Sequence, residues 1–239
     1  MTRPAFYALA PGGWRDYVTL LHPPYTLWHL SYVAVGAALA PHLEPARLGW
    51  TLAAFALAMG VGAHALDELR GRPLQTRIPD RVLWALAGLS LGAAAAIGVV
   101  AALAWTPWLL AFVAFGVFIV PAYNLELAGG RFHNSFWFAV AWGAFPALTG
   151  YFAAAETLRA EAVLAAGYAA LFSYAQRVLS TPVRTLRRRV RTVSGELEYA
   201  DGTREPVTEA TLIGAPEAAL QVLAGTAVVL AVALLVARW

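Results

Sequence analysis

The chain has 239 residues, 60% of them hydrophobic and only 13% charged, with a formal net charge of +3. Several apolar runs reach the ~20 residues that a bilayer core requires, so a soluble globular domain is excluded and an integral membrane protein is expected. With no cysteine in the chain, disulfides, thiolate catalysis and Cys-ligated metals are excluded as well.

Residues 1–23 carry Arg15 and Asp16 and lack a continuous apolar core, which speaks against a cleavable signal peptide and for a segment along the membrane surface. Seven apolar spans follow, at roughly 24–41, 48–66, 82–104, 106–124, 135–154, 160–178 and 216–237. All have helical length, and none shows the short alternating segments of an outer-membrane barrel. Open sheets cannot face lipid. The expected fold class is therefore all-α, a polytopic helix bundle over 24–178 with a last span in 214–239. Between them, residues 179–213 divide into a basic run, STPVRTLRRRVR, and a stretch alternating about Asp201-Gly202, a dipeptide that favours a hairpin turn. A small extramembrane β-hairpin is expected there.

All 17 basic residues are arginine. With the N-terminus inside, cytoplasmic loops collect every arginine except Arg47, Arg159 and Arg238, as the positive-inside rule requires. The expected topology has a cytoplasmic N-terminus and an external C-terminus. The charge is spread along membrane-flanking loops without a soluble basic domain, which argues against nucleic acid as a partner.

With that topology the polar residues gather on the cytoplasmic side. His29 lies roughly 7.5 Å into the first span. His64, Asp67 and Glu68 end the second, Tyr123, Asn124 and Glu126 the fourth, and Gln176 and Arg177 the sixth, while His133 and Asn134 begin the fifth. Such a chamber above an apolar bundle suits a ligand with a charged head and a long hydrocarbon tail, such as an isoprenyl diphosphate. Mg²⁺ typically bridges one or two carboxylates to substrate phosphates. Asp67 and Glu68 are the candidate ligands, with His64, one helical turn away, as a nitrogen ligand or base. Plainer readings stand beside these. Asp67 and Glu68 would pair with Arg70, Arg72 or Arg77; His29 would hydrogen-bond a neighbouring helix; and the arginines at 184–191 would anchor the chain to anionic headgroups of membrane lipids.

The run HPPYTLWHLSYVAVGAALAP (22–41), the run HALDELRGRPLQTRIP (64–79), and Tyr123 with WGAFPALTGY (142–151) together resemble the UbiA superfamily of intramembrane prenyltransferases over roughly residues 20–180. The resemblance implies a helical bundle with a lipid cavity and a polar cap. It also implies Mg²⁺-assisted ionisation of a prenyl diphosphate, followed by attack of an acceptor. Catalytic roles would then fall to His64, Asp67 and Glu68, and substrate binding to His29, Arg72, Arg77, Tyr123, Asn124, Arg177 and Arg184. The family pattern NDxxDxxxD falls on Ala63, His64, Asp67 and Gly71, so only Asp67 keeps its family identity. The second aspartate-rich motif has no counterpart in YAQRVLSTPVRTLRRRV, where Arg177, Arg184 and Arg187 are the candidate phosphate ligands. The family also typically has nine spans. Two other functions stay open at this point: a lipid-binding or scaffold subunit without chemistry, and a membrane metalloenzyme built on His29, His64, Asp67, Glu68 and His133.

Overall fold

The computed structural model describes residues 3–238; the extreme ends of the first and last sequence regions, residues 1–2 and 239, lie outside them. A short helix, α1 (Trp14–Leu20), precedes the bundle. The long helices are α2 (Pro23–Leu39), α3 (Pro45–Leu69), α4 (Asp80–Ala104), α5 (Leu109–Asn124), α6 (Ser135–Ala155), α7 (Ala160–Arg189) and α8 (Glu209–Val236). Among them α3, α4, α6, α7 and α8 are long and apolar enough to cross a membrane. The protein is a helical membrane protein. Two helices are shorter, α2 at 17 residues and α5 at 16, and α2 is largely enclosed by its neighbours.

The ends of the helices follow local chemistry. Pro23 and Pro45 stand in first turns, where a missing N–H costs nothing. Asn134 caps α6 by accepting from the Trp137 amide at 3.0 Å, and Thr208 with Thr211 forms a reciprocal cap on α8. The helix α7 runs on through the basic stretch as far as Arg189, so the end of the sixth apolar run is continuous with the arginine-rich turns. Arg187 there holds Glu217 of α8 through two bonds, of 3.0 and 2.7 Å. The expected hairpin is present as β1 (Glu196–Glu198) paired antiparallel with β2 (Arg204–Pro206), with Leu197 opposite Glu205. Asp201 shapes its turn by accepting from the amide and hydroxyl of Thr203.

At the centre α2 packs between α6 and α8. On one side a methyl group at Gly36 would overlap the Ala147 carbonyl, and one at Gly150 would overlap that of Val33. The two backbones touch, as small residues allow in membrane helices. On the other side Leu220, Ala224, Ala227 and Ala231 of α8 form a buried stripe at helical spacing against Trp28, Tyr32 and Val35. At the end of the bundle away from the arginine-rich turns, Arg47 bridges α3 to Glu156 at 2.7 Å and lies 5.1 Å from the Trp105 ring centre.

Two helices contain wide π turns, over Ala56–Ala63 in α3 and Val140–Ala144 in α6. Such turns break the i→i−4 register and release carbonyls. In α6 a second cause adds to this: Pro146 has no N–H to offer the Trp142 carbonyl four residues earlier. That oxygen instead accepts from His29 Nδ1 at 2.7 Å and from Ser173 Oγ at 3.3 Å.

Candidate functional site: a polar chamber above an apolar cavity

At the end of the bundle where α2, α6 and α8 begin and α3, α5 and α7 finish, a chamber of about 860 Å³ is lined by most of the polar residues singled out above. Of the candidate site residues, His29, His64, Asp67, Tyr123, Asn124, Arg177 and Arg184 all border it. His133 and Gln176 join them, as do Tyr7, His22, Arg188 and Glu217.

Glu68, Arg72 and Arg77 lie elsewhere, each engaged by the loop that follows α3. Glu68 is fully buried, and its carboxylate accepts from the Leu74 amide, the Thr76 amide and the Thr76 hydroxyl, all at 2.9 Å. Fully buried and holding three donors from that loop, Glu68 anchors 70–79 and does not line the chamber beside Asp67. Arg72 donates to the Ile78 carbonyl at 2.5 Å and pairs with Asp80. The Arg77 side chain is exposed, while its amide donates to the buried Asp16 carboxylate at 2.9 Å, which also takes the Gly12 amide at 2.8 Å. The expected pairing of the acidic residues with Arg70, Arg72 or Arg77 is not what forms: Arg70 instead bridges to Glu126 at 2.9 Å. Because removing a buried charged acceptor strands its donors, Glu68→Ala is expected to cost about 3 kcal/mol. A clear fall in apparent melting temperature in detergent checks this; an unchanged value would contradict the anchoring role.

The chamber walls differ chemically. On α7, Arg177, Arg184 and Arg188 follow at spacings of seven and four and so share a face. Arg177 donates to the Tyr123 hydroxyl at 2.6 Å and lies over the Tyr123 and Phe138 rings at 5.9 and 5.5 Å. Arg184 has no ion-pair partner among the described residues. Arg187, by contrast, is turned to α8 and to Glu217 and Glu209. Across the chamber His64 stacks on His22 with ring centres 4.0 Å apart, and the Tyr7 hydroxyl and His22 Nδ1 share a 2.6 Å hydrogen bond. Burial above all, then the charges of His64, Arg188 and Arg184, holds the His22 imidazole well below the ordinary histidine value. Asp67 is in no ion pair among the described residues, which leaves it the one unpaired carboxylate at this wall, since Glu217 is held by Arg187.

His29 does bond a neighbouring helix, as the plainer reading had it, and still borders the chamber. Tyr7 and His22 were not among the residues that sequence reasoning selected. His22 stands directly before α2, and Tyr7 arrives because residues 3–9 fold over the end of the bundle, where Arg187 and Arg188 donate to the Arg3 and Pro4 carbonyls at 3.2 and 3.5 Å. The aromatic pair Phe6-Tyr7, followed by His22 directly before Pro23, was the available signal.

Trp142 lines both the chamber and a second, partly open cavity between α3, α4, α5 and α6. That cavity is apolar apart from Thr51 and Thr149, and along α3 it extends from Met59 to Trp50, a rise of roughly 14 Å. Among the described residues no three metal-ligating side chains converge on one point. Asp67 alone fits the weaker demand of Mg²⁺, one carboxylate with the remaining positions taken by phosphate oxygens and water.

The arrangement defines a class: a membrane helix bundle with a cationic polar chamber and an apolar cavity that share Trp142 in their walls. Comparison of the chain with family models, curated proteins and solved structures found no match to any of them.

Proposed function

We propose that the protein is a UbiA-like, seven-span membrane protein that binds a prenyl diphosphate and transfers its prenyl group with the help of Mg²⁺. The observation that carries this reading is the junction at Trp142, where a chamber with three arginines meets an apolar cavity long enough for several isoprene units. The diphosphate would lie against Arg177 and Arg184, and the prenyl chain would run past Trp142 toward Trp50. The arginine distribution supports a cytoplasmic chamber, with α2 and α5 completing the seven spans as short, enclosed helices.

Asp67 would hold Mg²⁺ together with the diphosphate oxygens, and the ion would supply charge neutralisation for the departing diphosphate. Arg177 and Arg184 would stabilise the same developing charge from α7. Tyr123, Phe138 and Trp142 pack together at this junction, with Tyr123 6.0 and 4.4 Å from the other two ring centres, and aromatic rings beside the allylic carbon would stabilise a cation.

The test is thermal stability of the detergent-purified protein with geranylgeranyl diphosphate, in Mg²⁺ or in EDTA. Ligand binding to the native state raises the apparent melting temperature. A rise that needs both diphosphate and Mg²⁺ and vanishes in Asp67→Asn is expected. A rise that needs the diphosphate but not the metal would favour a second reading, a lipid-binding subunit without chemistry, which the single unpaired carboxylate at the α3 wall also favours. No rise with any chain length would remove the prenyl diphosphate reading.

A further inference from the structure

We infer that residues 3–7 form a strap closed across the mouth of the chamber, and that this strap swings aside to let a phosphate-bearing headgroup enter and leave. The inference rests on the prenyl diphosphate reading above for the identity of that headgroup, and adds the device that admits it.

The strap is held unevenly along its length. Its sequence keeps it out of regular structure, because Pro4 has no N–H to give and Pro11 with Gly12-Gly13 separates it from α1. Within residues 3–9 the backbone makes one bond to itself among the described residues, from the Ala8 amide to the Ala5 carbonyl at 3.1 Å. Behind that turn the chain is well anchored. Ala8 is buried, the Leu9 amide donates to the Thr19 hydroxyl at 3.0 Å, and the Gly12 amide donates to the buried Asp16 carboxylate. Ahead of the turn the attachments are two. The Arg3 and Pro4 carbonyls accept from Arg187 and Arg188, and the Tyr7 hydroxyl meets His22 Nδ1. Phe6 and Tyr7 add ring contacts to Tyr25, with centres 6.3 and 5.6 Å away. A segment with so few backbone bonds opens locally at a small fraction of the cost of unfolding, while its root stays in place.

Those two attachments stand on opposite walls. Arg187 and Arg188 belong to the last turns of α7. His22 stands directly before α2 and stacks on His64 of α3 with ring centres 4.0 Å apart. The strap thus crosses from α7 to the α2–α3 side, and Pro4, Ala5, Phe6 and Tyr7 all line the space that it covers. These four bring no charge to the chamber, whereas Arg177, Arg184 and Arg188 of α7 do. Attraction for an anion therefore resides in the wall, and the cover adds little to it. A cover that a headgroup passes in both directions sets the rates of entry and exit and leaves the affinity to the arginines.

The absence of cysteine makes the strap directly testable, since a single introduced thiol reports alone. The reporter is Gln176→Cys in the full chain in lipid nanodiscs; Gln176 is buried, borders the chamber and leaves its Oε1 without a partner. The probe is sulfonatoethyl methanethiosulfonate, a small anion that does not cross lipid. When closing is fast, the labelling rate tracks the population of the open form. Tyr7→Phe, which loses only the bond to His22, should label about 5-fold faster than the reporter alone, and Tyr7→Ala or Phe6→Ala at least about 10-fold faster. A second reporter, Thr149→Cys in the apolar cavity, should label at the same slow rate with and without these changes. Equal Gln176→Cys rates in all strap variants would overturn the inference, as would a parallel rise at Thr149→Cys, which marks a generally loosened bundle. Inorganic diphosphate added beforehand should slow Gln176→Cys labelling in every variant, with half-protection at similar concentrations. Failure of diphosphate to protect any variant would overturn the prenyl diphosphate reading, while the labelling rates still decide the strap.

Discussion

Gly150→Leu is expected to leave no folded protein, and Gly36→Leu nearly none. A Cβ at either position enters the backbone carbonyl of the opposing helix, Val33 in one case and Ala147 in the other. A side chain can rotate away from such a clash, whereas a helical carbonyl cannot move without its whole turn. Overpacking a core usually costs 1–3 kcal/mol; here the remedy is to part α2 from α6, which also opens the contacts of Tyr32, Ala147 and Tyr151, all buried at the same seam. The control lies in α4, where nothing stands within 4 Å of a Cβ at Gly88 or Gly92. Gly92→Leu should purify as a monodisperse species with a melting temperature close to that of the wild type. Size-exclusion profiles and thermal melts of the three variants decide the matter, and a Gly150→Leu protein as stable as Gly92→Leu would refute the close approach.

That seam was not readable from the chain, although its residues were in plain view. Hydropathy carries the positions of the long helices, because length and apolar content are local properties. The choice of face is not local. The α2 helix is apolar on nearly every side, so nothing in its sequence tells which of its faces meets another backbone at Gly36. The hairpin about Asp201-Gly202 was legible for the opposite reason, since a tight turn depends on a few adjacent residues.

The chamber was legible to an intermediate degree. Placing polar residues by depth at helix ends brought His29, His64, Asp67, Tyr123, Asn124 and Arg177 to one end of the bundle, and the structure sets them around one space with Arg184 of the basic run. Depth says nothing about which way a side chain is spent. Glu68 is adjacent to Asp67 in sequence, yet one carboxylate is held by donors from Leu74 and Thr76 and its neighbour is in no ion pair among the described residues. The loop supplying those donors takes left-handed backbone at Arg72 and Gln75, residue types that carry no signal for it. The Trp142 carbonyl is a different case, because Pro146 four residues on announces an orphaned oxygen in any helix.

Arg184→Gln should have effects of opposite sign on the empty and the occupied protein. In the empty protein Arg184 is half-buried beside Arg177 and Arg188, with no carboxylate paired to it among the described residues. Like charges held close in a site of reduced dielectric repel, so removing one should leave the melting temperature unchanged or raise it. With an anion bound the same guanidinium becomes a charge-assisted donor worth about 2 kcal/mol, and its loss should weaken geranylgeranyl diphosphate binding roughly 30-fold. An arginine whose work is structural behaves the other way. Arg187→Gln supplies that contrast, since it breaks the two bonds to Glu217, should lower the stability of the empty protein and should leave diphosphate affinity near that of the wild type. Isothermal titration and thermal melts of both variants, each at low and high salt, separate the two roles. If Arg184→Gln melts lower than the wild type yet binds diphosphate as tightly, the cationic wall of α7 is an anchor to membrane headgroups and the chamber takes its ligand by other means.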